Sequence, residues 1–138
     1  MARILPRHIL ITGGSSGLGE ALALAYAAPG ITLSLTGRDQ GRVDAVAAAC
    51  RAKGADVTGA VLEVTDAGAM AAWIAARDGA KPLDLVIANA GVSGNTIEDR
   101  TADEAAKTRR MFAINVDGAV NTVLPAIALM KPRRRGQI

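Results

Sequence analysis

Aromatic side chains are nearly absent: Tyr26, Trp73 and Phe112 make up 2% of the 138 residues. A core without large rings has to close with Ala, Val, Leu and Ile, which suits helices lying close on a sheet. Cysteine and histidine are as scarce. A single cysteine, Cys50, excludes an internal disulfide, and a single histidine, His8, excludes a histidine-rich metal site, so no metal is expected. Both read as structural, Cys50 as a small apolar residue in a helix and His8 as the polar first residue of a strand. No uninterrupted apolar run approaches the roughly 20 residues that span a bilayer, and no membrane partner is expected. Residues 1–7 lack the apolar core of about 7 to 15 residues that a secretory signal carries, which makes the cytoplasm the expected location.

What is present is half hydrophobic, enough for one ordinary domain with a moderate core. The formal charge of +3 owes much to one cluster, Lys131-Pro132-Arg133-Arg134-Arg135, and the rest of the chain is close to neutral. Cations at the carbonyl end of a helix, with Pro132 and Gly136 marking the turn beyond, account for that cluster better than a nucleic-acid patch does. No nucleic-acid partner is expected.

Apolar runs near 8–12, 31–37, 56–62 and 83–89 alternate with helix-length segments at about 17–28, 40–53 and 66–78. That alternation predicts β-α units on a mostly parallel, doubly wound sheet, an α/β fold. Pro29-Gly30, Gly54 and Gly79 are placed to stop the three helices in turn. Thr65 is positioned to cap the third helix, with Asp66 in its first turn. Met70, Trp73, Ile74 and Arg77 follow at helical spacing as a core-facing stripe, with the Arg77 stem at its edge. After the fourth strand come a polar loop, Gly91 to Asn95, and a helical region from about 100 to 131. A break is expected near 110, and Pro125 marks a place for a kink.

Residues 12–19, between the first strand and the first helix, read Thr-Gly-Gly-Ser-Ser-Gly-Leu-Gly. A strand ending in a glycine turn that opens a helix gathers backbone N–H groups and the positive helix end around one point, which suits a phosphate. Gly13 permits the sharp turn, Gly17 lets a pyrophosphate approach the backbone, and Gly19 lets the helix pack closely on the strand. A flexible turn that binds nothing is the plain alternative. The G-x-x-x-G-x-G spacing differs from the commonest dinucleotide fingerprint. Glu20 follows Gly19 and no lysine is near, which argues against the phosphate loop of an ATPase.

Thr12 to Gly19 resembles the T-G-x-x-x-G-x-G motif of the short-chain dehydrogenase/reductase family. Asn89-Ala90-Gly91 resembles that family's Asn-Ala-Gly turn beside the cofactor. Ile114-Asn115-Val116-Asp117-Gly118, with Asn121 beyond, resembles its Asn-Val-x-Gly segment, whose Asn belongs to the catalytic set. Glu63-Val64 stands where the family has Asp-Val touching the adenine, so the longer Glu is a departure. The likeness runs from end to end of the chain. It implies a Rossmann-like sheet of order 3-2-1-4, with the Gly13 and Asn89 turns flanking the crevice where the strand order reverses. It implies a cofactor site made of Gly13, Ser15, Ser16, Gly17, Leu18, Gly19, Arg38, Glu63, Val64, Asn89, Ala90 and Gly91, and one catalytic residue, Asn115.

The activity implied is hydride transfer between a nicotinamide and a small carbonyl or alcohol substrate, with a Tyr-x-x-x-Lys pair supplying the proton. A free tyrosine titrates at about 10, so the lysine is needed to bring it toward working pH. The one tyrosine here, Tyr26, has Gly30 rather than Lys four positions on. Residues 1–138 therefore read as a dinucleotide-binding domain that stops near the start of the fifth strand, at Gly136-Gln137-Ile138. Alone it is expected to be inactive, and poorly soluble, because Leu85-Val86-Ile87 would lie at an open edge. The whole protein is expected to be a homo-oligomer. A silent dinucleotide-binding or sensing module and a structural subunit are the competing readings.

The second strand ends Thr36-Gly37-Arg38, with Gly where an NAD-preferring site carries an acid for the ribose 2'-OH. Arg38 can pair with a 2'-phosphate, so NADP(H) is expected over NAD(H). Asp39 is the competing acid, though it is also placed to cap the following helix.

Overall fold

The run His-Ile-Leu-Ile-Thr carries apolar side chains toward both faces of a strand, as a central parallel strand requires. It forms β1, His8–Thr12, and all five residues are buried. The computed structural model describes residues 5–94 and 103–138, so Asn95 and the first residues of the region expected from 100 lie outside them. Three further strands follow, β2 at Thr32–Gly37, β3 at Asp56–Val61 and β4 at Leu85–Ala88. All pair in parallel in the order β3-β2-β1-β4, so the strand order reverses between β1 and β4.

Helices cover both faces. On one, α1 (Gly17–Tyr26) and α2 (Gln40–Ala52) set Ala23, Val46, Ala47 and Cys50 against Ile9, Ile11, Leu33 and Leu35. On the other, Leu10 and Val86 pack with Met70 and Ile74 of α3 (Ala67–Ala80) and with Ala126 and Met130 of α5 (Gly118–Met130). Each fully buried Ile, Leu or Met contributes about 1.5–3 kcal/mol. His8 is buried among them with both ring nitrogens engaged, Nδ1 with Lys81 O at 2.7 Å and Nε2 with Ser34 Oγ at 2.8 Å. Burial above all pushes its pKa below 6.5.

Several expected boundaries shift. Asp66, not Thr65, caps α3, accepting from Ala69 N at 2.9 Å, because its carboxylate reaches the free amide of the first turn. Gly79 does not end α3, which runs to Ala80 with Lys81 as its cap. Gly54, at φ +92, does take the left-handed turn expected of it beyond α2.

The larger correction concerns the break expected near 110. α4 (Glu104–Phe112) passes into a five-residue π-helical segment, Ala113–Asp117, and on into α5, with right-handed helical backbone at both joins. One widened turn replaces the break, and the helix runs on through Pro125. Its length and apolar content would suffice for a bilayer span, yet Gly118, Thr122, Ala126 and Met130 are buried in this fold.

The outer edge of β4 is not wholly open. Gln137 bridges to Leu85 in parallel, with Val86 N donating to Gln137 O at 3.0 Å and Gln137 N to Asp84 O at 2.9 Å. These bonds form an isolated bridge at Gln137, beside the four-stranded sheet. The basic cluster braces the start of β4. Arg133 holds both carboxylate oxygens of Asp78 and also donates to Leu129 O at the end of α5, while Arg135 pairs with Asp84 at 2.8 Å.

Candidate functional site

The turn after β1 places the site. Gly13, at φ +64, adopts a backbone conformation that a side chain disfavours, and a Cβ there would stand 2.8 Å from the Ala90 Cα. The loops after β1 and β4 thus touch backbone to backbone, and hydrogen bonds stitch them together. Thr12 Oγ1 accepts from Asn89 N at 3.1 Å and Ala90 N at 3.2 Å, while Asn89 Nδ2 donates to Thr12 O and Gly13 O, both at 3.2 Å. Gly14 N donates to Thr36 O at 2.8 Å, which fixes the same turn to the end of β2.

A cavity of about 320 Å³ opens above these three strand ends. Every residue expected in the cofactor site lines it except Gly19. Gly19 is buried instead, and any side chain there would overlap Gly13 O and press on Asn89, so this glycine lets α1 close onto the β1 turn. Asn115 does not line the cavity either. From the π-helical segment its amide pairs with the backbone of Val92, accepting from Val92 N and donating to Val92 O, each at 2.8 Å. It fixes the loop that forms one wall.

The opening of α1 is electrostatically distinct. Asp39, Asp66 and Asp103 cap α2, α3 and α4 through side-chain hydrogen bonds to the first turn, whereas Ser16 makes none at α1. The first amides of α1 therefore open toward the cavity without a side-chain cap, and Glu20 is the one acidic residue of that first turn. Gly17, at φ +56, stands there with nothing within 4 Å of where its Cβ would be.

The charged residues of the cavity lie toward β2 and β3. Arg38 is exposed at the end of β2. Asp39 beside it is engaged, Oδ1 accepting from Arg42 N at 2.8 Å as the cap of α2. A side chain at Gly37 would overlap Ser15 Oγ and approach Val43 Cγ2 to 2.7 Å. Glu63 is half-exposed and paired with Arg110 of α4 at 3.3 Å. Val64 is buried, and its carbonyl accepts from Asn121 Nδ2 at 2.9 Å, which ties the loop after β3 to α5.

Five residues outside the expected set also line this cavity, Thr36, Gly37, Leu62, Val92 and Ile114, and sequence reasoning missed the bracing roles of Thr12 and Asn121. Thr12 and Asn121 stand inside the quoted motifs, so a signal was there. Thr36 and Leu62 fit ordinary strand patterning, which hides them.

Comparison with known proteins agrees with this geometry. The family model described as short chain dehydrogenase matches residues 7–138. A protein of Myxococcus xanthus (strain DK1622) named "Uncharacterized oxidoreductase" is 39% identical over 139 residues, spanning 100% of this chain and 54% of that protein. Among solved structures, levodione reductase superposes with a TM-score of 0.81 at 32% identity, covering 94% of this chain and 51% of the other. NAD+-bound xylitol dehydrogenase gives 0.82 at 25% identity, covering 94% and 50%. The chain thus spans about half the length of these relatives.

Proposed function

Because this chain belongs to the short-chain dehydrogenase family, matched over residues 7–138, we propose that it forms the cofactor-binding half of an NAD(P)-dependent oxidoreductase. The substrate class is a small carbonyl or alcohol, and the bound nicotinamide supplies or accepts the hydride. The observation that carries this reading is the convergence of the Gly13 turn, the uncapped N-terminus of α1 and the Asn89 turn on one cavity. Those features fit a dinucleotide. Free amides and the helix dipole at Gly17 suit a pyrophosphate, and the open space beside Gly17 is what a Cβ would fill. A cavity of about 320 Å³ is at the lower end of ligand sites. Asn115 serves by holding the loop at Val92, which keeps the wall of the site in register with α5.

The preferred cofactor is NADP(H). Gly37 has no room for the acid that an NAD site needs, Asp39 is spent on a helix cap, and Arg38 is an exposed cation at the cavity lip. Family membership also disfavours the silent-module and structural-subunit readings. Self-association is part of the proposal. Phe112, Val116, Val120 and Leu124 recur every fourth residue along the long helix and are all exposed. Sedimentation of the full-length protein tests it, and a monomer at high concentration would refute it.

The cofactor proposal is tested by fluorescence titration of the full-length protein with NADPH and NADH, before and after Arg38→Ala. NADPH should bind at least tenfold more tightly, and the substitution should erase most of that margin. Failure to bind either dinucleotide would overturn the site, and an unchanged ratio in Arg38→Ala would overturn the assignment to NADP.

A further inference from the structure

The described part of the chain buries four hydroxyl side chains, and three of them are spoken for. Ser34 Oγ bonds His8 Nε2, Thr12 Oγ1 accepts two amides, and Thr122 Oγ1 donates to Gly118 O at 2.8 Å. The fourth is Thr36, 1% exposed, whose Oγ1 has no hydrogen-bond partner among the described residues. Leaving a buried hydroxyl unsatisfied is unfavourable, and native interiors rarely do it without a reason.

Its placement supplies one. Side chains alternate along β2, so with Leu33 and Leu35 in the α1/α2 core, Thr36 shares the opposite face with Ser34. It stands beside Ala60 in the register with β3, a residue too small to fill the space above the strand ends. Its carbonyl already accepts from Gly14 N, so the hydroxyl is its free polar group. Thr36 also lines the cavity at the end formed by Arg38, Leu62, Glu63 and Val64.

We infer that Thr36 is a specificity-determining residue of this site, its hydroxyl hydrogen-bonding the purine base of the dinucleotide. The inference rests on the dinucleotide reading above. A base is favoured over a phosphate at this position for two reasons. Leu62 and Val64 give this end apolar walls, which suit a flat ring, whereas a phosphate there would lose its water. The cation for a phosphate, Arg38, is exposed, and the other charged group lining this end, Glu63, is a carboxylate already paired with Arg110, so it offers a buried anion no counter-charge. A threonine hydroxyl both donates and accepts, so it can meet either a ring nitrogen or an exocyclic amine.

Thr36→Val keeps the shape and removes the hydroxyl, and Thr36→Ser keeps the hydroxyl. Titrations of the full-length protein with NADPH, adenosine 2',5'-bisphosphate and ADP, alongside thermal unfolding without ligand, test the assignment. In Thr36→Val all three ligands should weaken by the same factor, about five- to tenfold, with the unfolding temperature unchanged or raised. Thr36→Ser should bind within about threefold of wild type. Equal affinities in wild type and Thr36→Val would overturn the inference. So would a loss confined to the two ligands that carry a 2'-phosphate. Wild-type protein that binds none of the three would overturn the dinucleotide reading itself, a result distinct from either. Should Thr36→Val fail to fold, Thr36→Ala with the same ligand panel decides, and equal weakening of all three again supports the base.

Discussion

Removing the Arg133 guanidinium should cost the fold about 2–3 kcal/mol, and the size of that number comes from its surroundings. Arg133 makes a bidentate pair with Asp78, at 2.6 and 3.0 Å, and also donates to Leu129 O and Leu83 O, both at 3.0 Å. Exposed ion pairs contribute about 0–1 kcal/mol, whereas breaking a fully buried one costs about 3–5. Side-chain exposures of 28% for Arg133 and 12% for Asp78 place this pair between those limits. In Arg133→Ala the carboxylate keeps the amide of Leu83, at 2.9 Å, as its hydrogen-bond donor. Against a total stability of about 5–15 kcal/mol the loss is large, and with a urea slope of about 2 kcal/mol/M the midpoint should fall by about 1 M. The pH dependence supplies a second readout. Burial alone would raise the Asp78 carboxyl, but hydrogen bonds from Arg133 and Leu83 and the Arg133 charge outweigh it and hold the carboxyl below 3.8. A depressed folded-state pKa means that the stabilisation is present above about pH 4 and fades as pH falls through 3.8 toward the folded value. The wild-type advantage over Arg133→Ala should fade over the same range. A midpoint shift under about 0.2 M, or an advantage that persists unchanged at pH 3, would refute the argument. The consequence reaches the site, because Asp78 and Arg133 both anchor Leu83, which leads into β4 and hence to Asn89.

Gly17→Val puts a branched side chain at φ +56 and should cost about 1–3 kcal/mol in backbone strain, but no neighbour stands within 4 Å of the new Cβ, so the protein should still fold while calorimetric titration shows NADPH affinity reduced by at least about a hundredfold; near-native affinity would exclude the phosphate position. In Asn115→Ala the amide of Val92 loses its acceptor, and its hydrogen exchange should accelerate about tenfold while global stability changes by less than about 1 kcal/mol. His8 has a folded-state pKa below 6.5, so the unfolded chain binds the extra proton first and stability should hold steady well above pH 6.5 and decline as pH falls from about 6.5 toward the folded value. His8→Gln should lack that decline in a urea series from pH 7.5 to 5. Gly37→Asp should unfold more readily without gaining NADH affinity, because its side chain overlaps Ser15, whereas adding Ser15→Gly should recover part of both; a single substitution that binds NADH well would show that the space exists.

Much of this architecture is legible from spacing alone. Ile9, Leu10 and Ile11 make a buried strand readable because parallel strands bury both faces, and Asp39 announces the start of α2 by chemistry that acts within one turn. Reading Thr65 as a cap failed by a single residue, because both side chains can do the job and geometry alone selects Asp66. The π-helical segment was hidden for a different reason. The run Met-Phe-Ala-Ile-Asn-Val reads as a change from polar to apolar helix, but the widened turn that follows Phe112 buries Ile114 and leaves Val116 exposed. That turn also brings Asn115 to Val92, a contact between residues 23 positions apart that no local pattern encodes.

Gly37 marks the limit of such reading. In the sequence it stands out as an acid that is missing, a statement about selectivity. In the structure it is a position closed by Ser15 from the glycine turn and Val43 from α2, so the glycine is required by packing before any ligand is considered. The two accounts meet because packing removes one option and leaves another. With a side chain at 37 opposed by Ser15 and Val43 and Asp39 committed to capping α2, Arg38 is the charged side chain left at the end of β2. Under the proposed NADP(H) reading, a cation at that lip would pair with an anion on the ribose, so the packing of Ser15 against Gly37 would set the electrostatics of a site that neither residue charges.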